Sequence, residues 1–245
     1  MRIAMLLAWI AVPVAFAFYH FGPGQEAAEN AQAGANLRLA SFQSTQEDWA
    51  AVDAHCSEAL ALLKSEDPTV EQRIRLERAK ARLLSKQLPA AYNDLTALLE
   101  ELESDDKADA QVLEQTRAAM ASAEYYLTWL LRLEGAPRDM WELEIEAARQ
   151  KYRLLAEQAT EAGDQEAADQ YTEDLEAAIR LARMDLSELE ALDLPCQCKG
   201  CCGGNCNCKG KKPGKGKGKG KGNGKKKPQD ARGASSGPPA DGIGS

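Results

Sequence analysis

Between Gln25 and Leu194 apolar side chains recur at intervals of three and four residues, and no run alternates strictly like a half-buried strand. A chain patterned this way buries its stripes only by packing helix on helix, so the expected fold class is all-α. Composition agrees. The 44% hydrophobic content is carried mainly by Ala and Leu, with 6% aromatic residues, and Ala and Leu lose least on entering a helix. The 245 residues suffice for one domain or two small ones.

The breaks between stripes are short. A weak first helix is expected over 25–42. Ser44-Thr45, with Glu47 and Asp48 three residues on, reads as a capping box opening a helix whose stripe is Trp49, Val52, Cys56, Leu60 and Leu63. Asp67-Pro68 pairs a stop with a start, Pro taking the first helical position, and Val70, Ile74, Leu76, Ala79 and Leu83 follow as inward positions. Pro89 starts another helix, with Tyr92, Leu95, Leu99 and Leu102 on one face, and Ser104-Asp105-Asp106 interrupts it. A long helix over 108–133 carries Leu113, Met120, Leu127 and Leu131 to Gly135-Ala136-Pro137. Trp141, Ile145, Ala148, Tyr152, Leu155 and Ala159 then form a stripe ending at Gly163-Asp164. Ala168, Tyr171, Leu175, Ala178 and Ala182 complete the set, trailed by a short turn through Leu186 and Leu189. Helices of about twenty residues joined by a few residues pack as antiparallel hairpins.

The stretch from Ala79 to Leu102, with Pro89-Ala90-Ala91-Tyr92-Asn93-Asp94-Leu95, resembles the helix-turn-helix of a tetratricopeptide repeat, and Trp49 to Leu63 resembles a degenerate helix of another. The full 34-residue signature is absent and no single period covers the body. The resemblance implies a protein-interaction solenoid; an ordinary helical bundle satisfies the same stripes. Trp49, Tyr125, Tyr126, Trp129 and Trp141 read as core rather than a ligand groove, and Cys56 as a small buried hydrophobe. The two histidines, His20 and His55, stand in no catalytic arrangement with Ser, Cys or Glu. Nothing marks a working pair of carboxylates, so the expectation is that the protein is not an enzyme.

At the other end of the argument, Met1 and Arg2 precede an apolar run from Ile3 to Tyr19. Seventeen helical residues reach about 25 Å against about 30 Å of hydrocarbon. Pro13 with Ala15-Phe16-Ala17 reads as a secretory cleavage region. Retention of Phe16 to Phe21 as an anchor, with Tyr19 and His20 at the interface, is the competing reading, and a buried helix is the bland one. No cysteine follows to take a lipid. Residues 1–21 are therefore expected to export the body, leaving it periplasmic or membrane-anchored outside the cytoplasm.

At Pro195 the composition changes abruptly. Residues 195–208 hold Cys196, Cys198, Cys201, Cys202, Cys206 and Cys208 among Gly, Asn and Lys, with no apolar core to bury them. Soft thiolates at C-x-C and C-x-x-C spacing suit Zn²⁺ or Cu(I), and Lys199 and Lys209 would favour the thiolate form. Disulfides are the other reading, since an exported chain meets an oxidising compartment and six cysteines allow fifteen pairings. Residues 209–245 run through Lys-Gly alternation to Lys225-Lys226-Lys227 and a Gly/Ser/Pro end; such a tail is expected to be disordered.

Charge divides at the same boundary. From Cys196 onward eleven Lys and Arg232 stand against Asp230 and Asp241, a charge of +10, while the rest of the chain carries −18. A polycation of this kind binds anionic polymers or membrane surfaces with strong salt dependence. Without interleaved aromatics it cannot stack bases, so sequence-specific nucleic-acid recognition is not expected. Its Gly-Lys pairs lack a following Ser or Thr, which rejects a phosphate-binding loop. Its reach of about 35 Å also lets it lie across the acidic body. The expected function is an exported cell-envelope scaffold with a protein partner for the helical region 25–194. A Zn or Cu storage or delivery protein and a binder of anionic polymer or membrane surface are the alternatives.

Overall fold

The computed structural model describes residues 23–63 and 67–192, with positions 9, 11–14 and 19 of the leader. Between Pro23 and Leu192 the described residues form eight α-helices and no strand: α1 Pro23–Thr45, α2 Trp49–Leu62, α3 Pro68–Leu84, α4 Leu88–Ser104, α5 Ala110–Leu133, α6 Arg138–Ala162, α7 Gln165–Arg183 and α8 Leu186–Glu190. They fall into two compact units, α1–α3 and α4–α8. Within each unit the helices pack as antiparallel hairpins against their neighbours in sequence.

Aspartate starts five of these helices. Asp48, Asp67, Asp109, Asp164 and Asp185 each accept a backbone N–H of the first turn, from Ala51, Thr69, Val112, Ala167 and Glu188 respectively. Glu188 returns a carboxylate to the Asp185 N–H, closing a capping box. Part of the body's acidity is thus helix-start chemistry, since a carboxylate there satisfies orphan donors and meets the positive end of the helix dipole.

The capping box expected from Ser44-Thr45 is not formed. Both residues lie in the last turn of α1, and their hydroxyls donate back to Ser41 O and Phe42 O at 2.7 Å. α1 stops one residue later, where Glu47 takes a left-handed conformation (φ 59°). Its N–H bonds Ser44 O at 3.2 Å, and the Asp48 N–H reaches Gln43 O at 3.1 Å. That is a Schellman closure made without glycine. Asp48 then becomes the only polar side chain placed to open α2. At Gly135 and Gly163 (φ 73° and 76°) the same closure uses the residue suited to it.

In the first unit Ala40, Val52, Cys56, Ile74 and Ala81 form the core, with Leu37, Trp49, Leu60 and Leu63 against it. Leu76, Ala79 and Leu83 are buried as expected, whereas Val70 is 37% exposed. Val70 sits in the first turn of α3, beyond the layer that α2 covers. In the second unit the core runs through Ala118, Ala121, Tyr125 and Trp129 of α5, Ile145, Ala148, Tyr152 and Leu155 of α6, and Ala177, Ala178 and Leu181 of α7; Leu189 of α8 closes its end.

The α6 stripe is as the periodicity predicts, with Trp141 at its half-buried start. The α5 stripe is not. Leu113, Leu127 and Leu131 are only half-buried, and the fully covered positions include Val112, Thr116, Ala119, Ala123, Tyr125, Thr128 and Trp129. α5 packs against α4 on one side and α6 on the other, so it is covered on two faces and its small residues set both approaches.

Candidate functional site

Ionisable side chains gather inside the second unit, where α4, α5, α6 and α7 meet. Glu124 of α5 is 3% exposed, and its Oε1 accepts a 2.6 Å ion-paired hydrogen bond from Lys151 Nζ of α6. Its Oε2 has no hydrogen-bond partner. Burial pushes this carboxyl up to about 7, against the pull of the Lys151 ammonium and with a push from Glu144. Nearby, Tyr92 of α4 donates to Glu144 Oε2 at 3.0 Å, and the Ser122 and Tyr152 hydroxyls bond at 3.1 Å. Burial, with the Glu144 carboxylate, raises the Tyr92 phenol; burial with Asp174 raises Tyr152.

Two further links tie α5 to α7. Tyr171 donates to Glu114 Oε1 at 3.0 Å. Arg132, 8% exposed, donates to the carbonyls of Leu181 and Met184, while its guanidinium lies 4.8 Å from the centre of the Trp141 ring. Arg132 therefore takes up carbonyls that the end of α7 leaves without helical partners. These groups pin helices at fixed register. None combines a nucleophile with a base and an orienting group, the constellation that acyl transfer needs.

In the first unit Cys56 is fully buried and free. Burial, with the Glu77 and Asp53 carboxylates, pushes its thiol up to about 12, so it is inert at neutral pH. His55 beside it stands 3.9 Å from Glu58. Arg82 and Asp53 pair at 2.9 Å across α3 and α2.

The surface of the second unit differs from its interior. Met140 (53%), Leu143 (75%) and Leu154 (38%) of α6 are exposed on the side opposite the core stripe. Toward the end of α6 an open depression of about 330 Å³ is lined by Arg153, Ala156, Glu157, Thr160, Glu161 and Leu175. Its walls offer apolar contact and charge of both signs, which suits a side chain of a partner better than a reacting group.

Trp129 and Tyr125 are core residues, their rings 6.3 Å apart. The cysteines of residues 195–208 and the lysines of 209–245 lie outside the described residues, and so does most of the leader. The donor set of the cysteine segment, thiol sulfur alone, fits a soft ion such as Zn²⁺ or Cu(I). Among the described residues no group of three or more His, Cys, Asp or Glu is placed to hold a metal ion, and no helix is long and apolar enough to cross a membrane. The exposed row on α6 had a readable signal, Met140, Leu143, Ala147 and Leu154 at heptad-like spacing beside the core stripe. Glu124, Asp174 and Arg132 had none, because a charged residue in a helix reads as surface. No family of known proteins, no curated protein and no solved structure matches the chain.

Proposed function

We propose that the protein is an exported scaffold of the cell envelope. Its acidic helical body takes a protein partner, and its C-terminal segment is a thiol-bearing, cationic tether. The observation that carries this reading is the apolar row Met140, Leu143 and Leu154, which α6 leaves outside a core that is otherwise filled. Exposed apolar surface edged by charge is the usual mark of a contact with another macromolecule. The tetratricopeptide-like stretch supports the same class, since stacked helical hairpins present extended surfaces to partners.

The tether follows from charge. The tail's +10 against the body's −18 gives the two parts opposite affinities. The lysines hold anionic polymer or lipid headgroups, and the body is repelled from them. Deleting residues 196–245 should leave the helical circular dichroism of the body unchanged. Deleting 209–227 from the full chain should abolish its low-salt retention on a heparin-type resin. Retention indifferent to that deletion would refute the tether. Intact mass with metal analysis of the protein purified without reductant separates a thiolate-bound ion from disulfides among Cys196 to Cys208.

A further inference from the structure

The outer face of α6 combines two features that point to one occupant. The first is the apolar row itself: Met140, Leu143, Ala147 and Leu154 follow one another at three-, four- and seven-residue steps, the spacing of a helix-pairing seam. From Met140 to Leu154 it runs about 21 Å along the helix. The second is the order of the charges that edge it. Glu142, Glu144 and Glu146 occupy the first half of the helix, and Arg149, Lys151 and Arg153 the second. They are symmetric about a point between Ala147 and Ala148: Glu142 and Arg153 are equidistant from it, as are Glu144 and Lys151, and Glu146 and Arg149. Arg138 and Glu157 extend the pattern outward with reversed sign.

We propose that this face pairs two copies of the chain, each α6 running antiparallel to the other about a two-fold axis near Ala147 and Ala148. In that arrangement every acid of the outer edge meets a base of the second copy, whereas parallel pairing sets like over like. A two-fold axis brings one patch against itself, so a patch whose charges are antisymmetric about its centre is self-complementary. Glu144 and Lys151 are held inward by Tyr92 and Glu124, which leaves Glu142, Glu146, Arg149 and Arg153 as the outer set. Within one chain Glu142 pairs with Arg138 at 2.7 Å and Glu146 with Arg149 at 2.6 Å. Exposed pairs of this kind contribute little alone and can be shared across an interface without an unpaired charge. The row's length places the contact at the small end of specific interfaces, so the association is reversible.

This inference rests on the reading of the body as an interaction module but not on the tail. The test is sedimentation equilibrium of the full chain in reductant, which prevents cross-linking through the tail cysteines. The wild type should show a concentration-dependent monomer–dimer equilibrium, and Leu143→Glu should weaken it about 30-fold or more, as loss of a central anchor does. Leu143→Gln, uncharged and equally exposed, should weaken it in the same direction. Glu142→Arg with Glu146→Arg should weaken it about tenfold, and so should Arg149→Glu with Arg153→Glu, because each double variant sets like charges opposite one another. An equimolar mixture of the two double variants should recover the dimer, since every acid again faces a base. A wild type monomeric at all concentrations overturns the pairing and leaves the tether to its own test. A mixture that stays monomeric overturns it as well. Association that survives Leu143→Glu but disappears on deleting 209–227 assigns the contact to the tail on an acidic body, and equally overturns it.

Discussion

The two units of the body solve the same packing problem with different materials. The core of α1–α3 is built from small residues, Ala33, Ala40, Cys56, Ala59, Ala79 and Ala81, with Val52 and Ile74 the largest side chains beside Leu76 and Leu83. The core of α5–α8 holds Trp129, Tyr125 and Tyr152, and is crossed by hydrogen bonds from Tyr171, Arg132, Lys151 and Ser122. Small residues let helix axes approach but specify register weakly. Large aromatics and satisfied polar links fix one arrangement, because any slip strands a buried donor or acceptor. The second unit is therefore the rigid part of the body, and it is also the part that displays the α6 row.

Trp129→Ala breaks this comparison most severely. Removing a fully buried indole costs about 3–5 kcal/mol, so urea unfolding should show α4–α8 melting early while α1–α3 keep their helical signal. A single loss of all helix would mean that the units do not fold separately. Glu124→Gln sharpens it through pH. The folded carboxyl, raised to about 7, binds a proton more tightly than the unfolded one. Its contribution is therefore most favourable below the unfolded value, and stability is lost as pH rises toward 7. The variant should therefore look more favourable relative to wild type at pH 8 than at pH 5, by about 1–3 kcal/mol. Equal differences at both pH values would show that Lys151 fully compensates the burial.

Ala59→Leu tests the small-residue core. Overpacking a closely approached site costs about 1–3 kcal/mol, and the loss should appear in the α1–α3 transition alone. The smallest effects are conformational and opposite in sign. Glu47→Gly relieves a left-handed backbone and should stabilise the first unit by about 1 kcal/mol. Gly163→Ala should destabilise the second by about as much, since a Cβ there meets open space and only its φ is strained. Thermal melts of the two variants should shift in opposite directions.

Much of this architecture was readable because it is local. The Asp67-Pro68 start, the glycine stops at Gly135 and Gly163, and the α6 stripe depend on residues within a turn or two of one another. The Ser44-Thr45 capping box failed at the same scale. A non-glycine left-handed closure at Glu47 moved the end of α1 past both hydroxyls, and nothing in residue type announces it. The α5 stripe failed for a longer-range reason: apolar periodicity reports one covered face, and α5 has two.

The alternation of stripes and breaks determined by itself that the body is helical and near where each helix stops, because helix propensity, capping and the 3.6-residue period act within a single segment. The break at Pro195 likewise follows from composition, since a stretch without apolar side chains has nothing to bury. Which charged residues lie inside was decided only by tertiary structure. Glu124, Arg132 and Asp174 have no local mark that separates them from the many solvated charges around them. Their burial, and the raised proton affinity of Glu124, arises when α4, α5, α6 and α7 bring lysine, tyrosine and backbone carbonyls from distant parts of the chain within hydrogen-bonding distance.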